Sequence, residues 1–437
     1  MAVIASKCPD YKVTIVDINQ ERIDSWNSDN LPVYEPGLDE IVKAQRGKNL
    51  FFTTEVVEGI KNADIIFVCV NTPTKTFGKG AGKASNLQYC ELTARQIREH
   101  ASKDLIVVEK STVPVHTSKI IREILCSVDS PHDFEVISNP EFLAEGTAIS
   151  DLQNPDRVLI GGRPNESGAA AVEKVAEIYA HWVPKERIIT TDAWSSEMSK
   201  LTANAFLAQR VSSINSISAL CEETGADVEN ISHAIGADSR IGAKFLKAGP
   251  GFGGSCFKKD ILNLVYLCES FGLNEVAEYW EQVVKLNDYQ QNRIVHRLMN
   301  SQFNTIADKK IAILGFAFKA DTGDTRESPA INIVKQLADE KAHIFVTDPK
   351  AIPNAKVELK GVENISFTED VYKAVEGAHA VLLMTEWQQY KDLDFKKIYS
   401  LMEKPSTFFD TRNILNHQEL FEIGFNVYPV GKKSLTH

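Results

Sequence analysis

The sequence predicts an α/β protein with two doubly wound, Rossmann-like domains joined by a central helical layer. Three observations predict it. Short, continuously apolar runs alternate with helical stretches near the start, and the same alternation returns near the end. The stretch between them has helical periodicity and no strand pattern. Continuous apolar runs of this length mark strands buried on both faces, as in parallel sheets covered by helices.

The elements follow in order. Lys12-Val13-Thr14-Ile15-Val16-Asp17 reads as a buried strand ending in an acid, and Ala63 to Val70 and Leu105 to Glu109 are the next two. The second set is Lys310 to Gly315, Ala342 to Asp348 and Ala378 to Met384. From Ser195 to Met299 the spacing of Ala203, Phe206, Leu207 and Arg210, then of Trp280, Val283, Val284 and Leu286, is helical. The expected domains are therefore 1–194 for dinucleotide binding, 195–300 for a helical and dimerisation layer, and 301–437 for a second doubly wound unit.

A chain of 437 residues is long enough for two or three cores, and 43% apolar with 24% charged residues is ordinary for a globular protein. A net charge of −11 and the lack of a long basic run weigh against a nucleic-acid surface. Seven scattered cysteines with no C-x-x-C pair suit a reducing cytoplasm, and they offer neither a disulfide framework nor a metal site. No apolar run reaches membrane-spanning length, and Lys7 interrupts Met1 to Ser6 too early for a signal peptide. The expectation is a cytoplasmic protein with no nucleic-acid or membrane partner.

The segment richest in chemistry is Gly251-Phe252-Gly253-Gly254-Ser255-Cys256-Phe257-Lys258-Lys259-Asp260. Glycines let backbone amides approach a ligand, and Ser255 is a suitable N-cap for a following helix. A cysteine at that helix start feels the positive end of the dipole and two lysines, which favour the reactive thiolate. Asp260 would stand one turn away on the same face. A capped helix carrying a buried thiol is the plain alternative. The convergence of features favours a covalent-catalysis nucleophile.

In a dinucleotide fold an acid ending the second strand accepts the ribose hydroxyls of NAD. Asp17 fits that role, and Arg22 could lie over the adenine. Val70-Asn71-Thr72-Pro73-Thr74 and Ser111-Thr112-Val113-Pro114 follow strands at the carboxyl edge, where ligands bind; structural turns explain each about as well. The phosphate-binding G-x-G-x-x-G should precede the acid by roughly 20 residues. No glycine precedes Asp17. The sequence reads as entering the fold inside its first helix at Met1 to Ala5, without the first strand and its loop. That predicts poor NAD binding and exposed ladder groups.

Seven segments in order carry a family resemblance. They are Asn71-Thr72-Pro73-Thr74, Glu109-Lys110-Ser111-Thr112-Val113-Pro114, Ser138-Asn139-Pro140-Glu141-Phe142-Leu143-Ala144-Glu145-Gly146, Asn154-Pro155-Asp156-Arg157, Ser199 to Phe206, the cysteine loop, and Gly323-Asp324-Thr325-Arg326-Glu327-Ser328. Together they closely resemble the UDP-glucose 6-dehydrogenases of animal type, from Met1 to about Lys432.

The resemblance implies NAD-dependent four-electron oxidation of UDP-glucose to UDP-glucuronate. Cys256 matches the family nucleophile, forming a thiohemiacetal and then a thioester. Lys200 and Asn204, one helical turn apart, match the pair that serves the reacting oxygen. Asp260 and Glu141 resemble the carboxylates that orient or activate water, with Thr112 helping to hold it. Glu145, Lys259 and Arg326 resemble cofactor contacts, as do Cys256 and the two polar turns. For the sugar nucleotide the matches are Glu141 to Glu145, Lys200, Asn204, Lys247, Gly249, Gly251, Phe252, Gly253, Phe318, Lys319, Arg240 and Arg412. One of these arginines is expected from a neighbouring subunit, in a dimer or a hexamer built as a trimer of dimers. Two other readings stay open: a dehydrogenase of another nucleotide sugar, and a non-catalytic UDP-sugar-binding subunit.

Overall fold

Among the described residues thirteen short strands form where apolar, largely β-branched and aromatic side chains run together: β1 Val13–Val16, β2 Leu50–Thr53, β3 Ile65–Val68, β4 Leu105–Glu109, β5 Phe134–Ser138, β6 Val158–Gly162, β7 Ile188–Asp192, β8 Lys310–Leu314, β9 His343–Thr347, β10 Ile365–Phe367, β11 Ala380–Leu383, β12 Thr407–Asp410 and β13 Asn426–Pro429. The computed structural model describes residues 1–128 and 130–437. Each of the six strands read from the sequence is present at or inside its predicted limits. Among the described residues no strand lies between Asp192 and Lys310.

The chain divides into two units, Met1–Ala203 with Leu262–Leu273, and Asn204–Ile261 with Asn274–His437. The central helices are shared between them. The helices Ala193–Thr224 and Phe257–Ser270 each contribute to both, and Asn274–Ser301 belongs to the second.

In the second unit one parallel sheet runs in the order β10-β9-β8-β11-β12-β13. Its central strand β8 pairs on both sides, Ile311 facing Ile344 of β9 and Ala380 of β11. Successive side chains of a strand point to opposite faces. Ile311 and Ile313 accordingly join one apolar cluster with Val334 and Leu337, while Ala312 and Leu314 join another with Ala374 and Val375. All eight are fully buried. Fully burying a Val, Leu or Ile side chain is worth roughly 1.5–3 kcal/mol, so this strand anchors the unit. The helix Pro329–Asp339 over it starts with Pro329 in the first turn, and the Ser328 hydroxyl caps it by accepting Ala330 N–H.

The sheet of the first unit is in two pieces. β1 pairs with β2 in parallel, and a separate sheet runs β3-β4-β5-β6-β7, parallel except at β5 and β6. The helix Ala2–Lys7 buries Val3, Ile4 and Ala5, and its apolar cluster includes Val13, Val42, Leu50 and Ile178. The facing edges of β1 and β3 line a cavity of about 2200 Å³, which Asp17, Arg22 and Asn71 also border. Among the described residues no helix is long and apolar enough to cross a membrane.

Candidate active site

The cysteine loop is held by buried amides that sequence reading did not single out. Asn287, on Asn274–Ser301, accepts Phe252 N–H at 2.8 Å and donates to the Phe252 carbonyl at 3.1 Å. Gln290, three residues on, donates to the Gly249 carbonyl at 2.7 Å, and Asn215 accepts Gly249 N–H at 2.9 Å. These bonds satisfy backbone groups that burial removes from water. The glycines are required here. Gly251 lies at φ 121° and Gly254 at φ 83°, which side chains disfavour. A Cβ on Gly251 would stand 2.7 Å from Asn287 Oδ1, and one on Gly253 would stand 2.6 Å from the Glu327 carbonyl.

The helix after the loop begins at Phe257. Asp260 N–H donates to the Cys256 carbonyl at 2.9 Å, so Cys256 itself occupies the N-cap position. Ser255 lies one residue outside, a correction to the sequence reading. The left-handed turn at Gly254, tied by its N–H to the Arg326 carbonyl at 2.8 Å, delays helix onset. The Ser255 hydroxyl instead sits 3.6 Å from the Cys256 sulfur. Cys256 is exposed, whereas Cys8, Cys90, Cys221 and Cys268 are buried; the alternative of a buried thiol does not describe it.

Each lysine of the motif has a carboxylate of its own, Lys258 with Glu327 at 3.0 Å and Lys259 with Asp260 at 3.2 Å. Asp260 is 1% exposed and accepts Asn204 Nδ2 at 2.6 Å. Lys200 lies one turn before Asn204 on Ala193–Thr224, and both are buried. Phe318, Gly249 and Arg412 also come together in this unit. The Phe318 ring lies 3.2 Å from where a Gly254 Cβ would stand, and its carbonyl accepts Arg412 Nη2 at 2.8 Å. A Cβ on Gly249 would lie 3.7 Å from Arg412 Nη1. Lys319 places Nζ 5.7 Å from the Phe318 ring, and Arg326 pairs with Asp324. Lys247 is exposed. Arg240 pairs with Asp238 in a turn and is 87% exposed, apart from the clamped loop.

In the first unit the two polar turns are tied together. Thr72 Oγ1 donates to the Thr112 carbonyl and Ser111 Oγ to the Val70 carbonyl, each at 2.9 Å. Ser111 N–H donates to Glu109 Oε1 at 2.7 Å. Burial pushes the Glu109 carboxyl up to about 8, against the hydrogen bonds from Ser111, so it is protonated at neutral pH.

Glu141 is the opposite case. Burial alone would raise it, but the Lys110 ammonium at 3.0 Å outweighs that and holds the carboxyl below its ordinary range. Lys110 is anchored in turn by the Asn139 carbonyl at 3.3 Å and Tyr179 OH at 3.2 Å. Next to Glu141, the Phe142 ring carries Arg157 at 3.9 Å and Lys200 Nζ at 5.3 Å from its centre, a cation–π arrangement. The Leu143 to Gly146 stretch is fixed by Ala144 N–H on Asp151 and Gly146 N–H on Glu35. Lys110 and Glu35 were not given roles in the sequence reading, since a lysine or glutamate gives no sign there of which carboxylate or amide it will meet.

Asp17 ends β1 beside the cavity. It accepts Asn19 N–H at 2.9 Å and lies 3.2 Å from Arg22 Nη1, so Arg22 here pairs with the acid. A partly exposed carboxylate at this edge fits ribose hydroxyls, with Asn71 on the same cavity. The ribose end of a dinucleotide fits these residues. Along this edge, residues 2–7 are helical and supply no glycine turn for its pyrophosphate.

Two doubly wound units, an acid at the end of a strand in the first and an exposed cysteine on a clamped glycine loop in the second fit a dinucleotide-dependent oxidoreductase. The chain belongs to the UDP-glucose/GDP-mannose dehydrogenase family: the family's NAD-binding domain matches residues 1–183, its central domain 194–289 and its UDP-binding domain 312–417. NAD is accordingly its cofactor. It is 57% identical over 451 residues to UDP-glucose 6-dehydrogenase 4 of Arabidopsis thaliana, covering 99% of this chain and 94% of the relative. It is 56% identical over 446 residues to UDP-glucose 6-dehydrogenase of Bos taurus, covering 99% and 90%. Plant and animal members thus match about equally well. Among solved structures, a UDP-glucose dehydrogenase from Pyrobaculum islandicum superposes with a TM-score of 0.86 at 28% identity, covering 98% of this chain and 94% of that one.

Proposed function

We propose that this chain oxidises UDP-glucose to UDP-glucuronate with NAD, through a thioester on Cys256. The observation that carries the reading is the exposed Cys256 on its clamped loop, one turn from the buried Asp260–Asn204 pair. Asp17 and Asn71 would hold NAD, which when bound would supply the hydride acceptor for each of the two oxidations.

The chain's own residues do the rest. Lys200 removes the C6 hydroxyl proton or holds the charge left behind, and Asn204 donates to the same oxygen. The Cys256 thiolate adds to the aldehyde carbon; the carbonyl π pair moves to oxygen, which takes a proton. Loss of the second hydride and of that proton restores the carbonyl as a thioester. Water, oriented by Asp260 or Glu141 and held by Thr112, adds to the thioester carbon. The S–C6 bond then breaks, the thiolate leaves and the carboxylate remains. Covalent attachment keeps the aldehyde from escaping between oxidations. The ionised state of Glu141 beside Lys110 supports a role as proton acceptor.

Gly249, Gly251, Phe252, Gly253, Phe318, Lys319, Arg412 and Lys247 hold the sugar nucleotide in this reading. The exposure of Arg240 supports its serving the site of a partner subunit, and with it self-association as a dimer or a trimer of dimers in the cytoplasm.

The test is the NADH formed per UDP-glucose consumed, for the chain and for Cys256→Ser. The reading expects two NADH per sugar, stalled in the variant. A folded chain that binds UDP-glucose and forms no NADH would support the UDP-sugar-binding subunit instead. A UDP-amino sugar oxidised faster than UDP-glucose would redirect the substrate assignment.

A further inference from the structure

We propose that Glu222 and Arg293 are positioning residues of the sugar-nucleotide site: one buried ion pair fixes the Gly249 peptide on one side and the turn carrying Arg412 on the other. The inference rests on the reading that Gly249 and Arg412 hold the sugar nucleotide, and it names what sets the gap between them. A Cβ on Gly249 would stand 3.5 Å from the Thr411 carbonyl and 3.7 Å from Arg412 Nη1, so the two segments face each other at close range.

Both polar groups of Gly249 are engaged by the interior. Its N–H donates to Asn215 Oδ1 at 2.9 Å and its carbonyl accepts Gln290 Nε2 at 2.7 Å, and both amide side chains are buried. The two ends of a glutamine amide are nearly equal in size, so hydrogen bonds decide which end faces the loop. Arg293, three residues on and on the same helical face, donates to Gln290 Oε1 from Nε at 3.3 Å and from Nη2 at 2.8 Å. A reversed amide would set its NH2 against a guanidinium and its oxygen against a carbonyl, with no hydrogen bond at either end. Arg293 therefore dictates that Gln290 presents a donor to Gly249. The guanidinium is itself fixed by Glu222 Oε2 and by Ser218 Oγ, the latter at 3.0 Å. The Arg293 and Glu222 side chains are 11% and 9% exposed, so salt screens the pair little.

The other oxygen of the same carboxylate serves the Arg412 side. Glu222 Oε1 accepts Gly431 N–H at 2.7 Å and pairs with Arg297 Nη1 at 2.9 Å, and Arg297 also donates to the Pro429 carbonyl at 3.1 Å. Between these two anchored residues, Val430 is bonded both ways to Asn413. Asn413 Nδ2 donates to the Val430 carbonyl at 2.8 Å, and Asn413 Oδ1 accepts Val430 N–H at 3.2 Å. Asn413, at φ 53°, follows Arg412 in its turn. A carboxylate bonded through both oxygens cannot shift towards one arm without loosening the other, so the two sides of the site are set together.

The test leaves Glu222 in place, because removing it strands two guanidiniums and endangers the fold. Gln290→Met keeps the side chain's length and removes the donor. Arg293→Lys keeps the charge beside Glu222 and removes the planar fork. UDP-glucose binding to the full chain is measured by calorimetry, with urea unfolding to establish that each variant is folded. Each single variant is expected to bind about tenfold more weakly or worse. Because both act through the Gly249 carbonyl, the double variant should bind within about threefold of the weaker single one. Ile313→Val, which destabilises the same unit from its core, should bind as the parent does, which separates positioning from stability. Hydrogen exchange of the Gly431 amide, on the far arm, should speed about tenfold in Arg293→Lys. Parent-like binding in a folded single variant, or losses that multiply in the double variant, overturns the proposal. So does an unchanged Gly431 rate, which would mean that the two arms are independent. Should Arg293→Lys not fold, Gln290→Met decides. A parent chain that does not bind UDP-glucose would end the functional reading and this proposal with it, whereas a binding parent matched by its variants ends this proposal alone.

Discussion

The two doubly wound units end a strand in the same residue and bond it differently. Asp348, after β9, is 2% exposed and accepts five donors: the amides of Phe316, Ala317, Lys350 and Ala351, and the Trp387 indole. Its lone pairs are spent on its own unit. Asp17, after β1, has a partly exposed carboxylate that meets only the nearby Asn19 amide and Arg22. An acid already saturated by the fold cannot also bind a ribose; one left at the rim can. The same strand-and-acid pattern is saturated by its own unit in one case and left partly exposed in the other.

That contrast can be broken by experiment. The largest effect is expected at Gly315, where φ is 93° and a Cβ would lie 2.4 Å from Thr385 Cβ. Gly315→Val should cost roughly 4 kcal/mol or more and leave the second unit unfolded or insoluble, read by urea unfolding. Gly82 has a similar φ but open space around it, so Gly82→Ala should cost only about 1 kcal/mol. Next, Asp348→Ala strands five donors, four of them in buried hydrogen bonds, and should cost roughly 3–5 kcal/mol. Asp17→Ala should change stability by less than about 1 kcal/mol while weakening NAD binding by about tenfold or more in calorimetry. Equal stability losses at the two acids would end the comparison.

A smaller effect concerns pH. The Glu109 carboxyl is raised from 4.5 to about 8 in the fold, so the folded chain keeps a proton that the unfolded chain has lost. Its contribution to stability is complete below about pH 4.5 and is lost as pH rises towards 8. Glu109→Gln should flatten the fall in Tm over that range, gaining roughly 4 kcal/mol at its upper end. An unchanged slope would mean that Glu109 ionises normally. The smallest effect is at Ser255. Outside the N-cap, Ser255→Ala should cost less than about 0.5 kcal/mol, against about 1 kcal/mol for a true cap.

Six strands were legible because burial on both faces leaves a continuous apolar run, a local signal; short strands such as β10 Ile365–Phe367 were not, because three residues carry too little pattern. The cysteine loop was legible for the same reason: glycine spacing and helix onset lie within ten residues of one another. Ser255 was displaced because its helix boundary depends on Gly254 bonding to Arg326, far along the chain. Asn215, Asn287 and Gln290 were invisible, since an amide on a helix reads as solvated until the loop it holds is known. Lys110 lay inside a quoted motif, yet its meaning comes from Glu141, Asn139 and Tyr179, which other elements bring to it. Asp17 and Asp348 could not be told apart at all, because their difference lies in neighbours across the sheet.

The far margin of the second sheet is finished differently from the open margins of the first. Leu435 N–H donates to the Val427 carbonyl at 3.0 Å and the Leu435 carbonyl accepts Val427 N–H at 2.8 Å, folding the tail back along β13. The ring of His437 then stacks on Phe421 with centres 4.2 Å apart. Residues 434–437 therefore act as a selvedge over part of that edge, at Val427. Clipping 434–437, or hanging an affinity tag there, would unravel that finish and turn a well-behaved preparation into one that clumps with concentration and time.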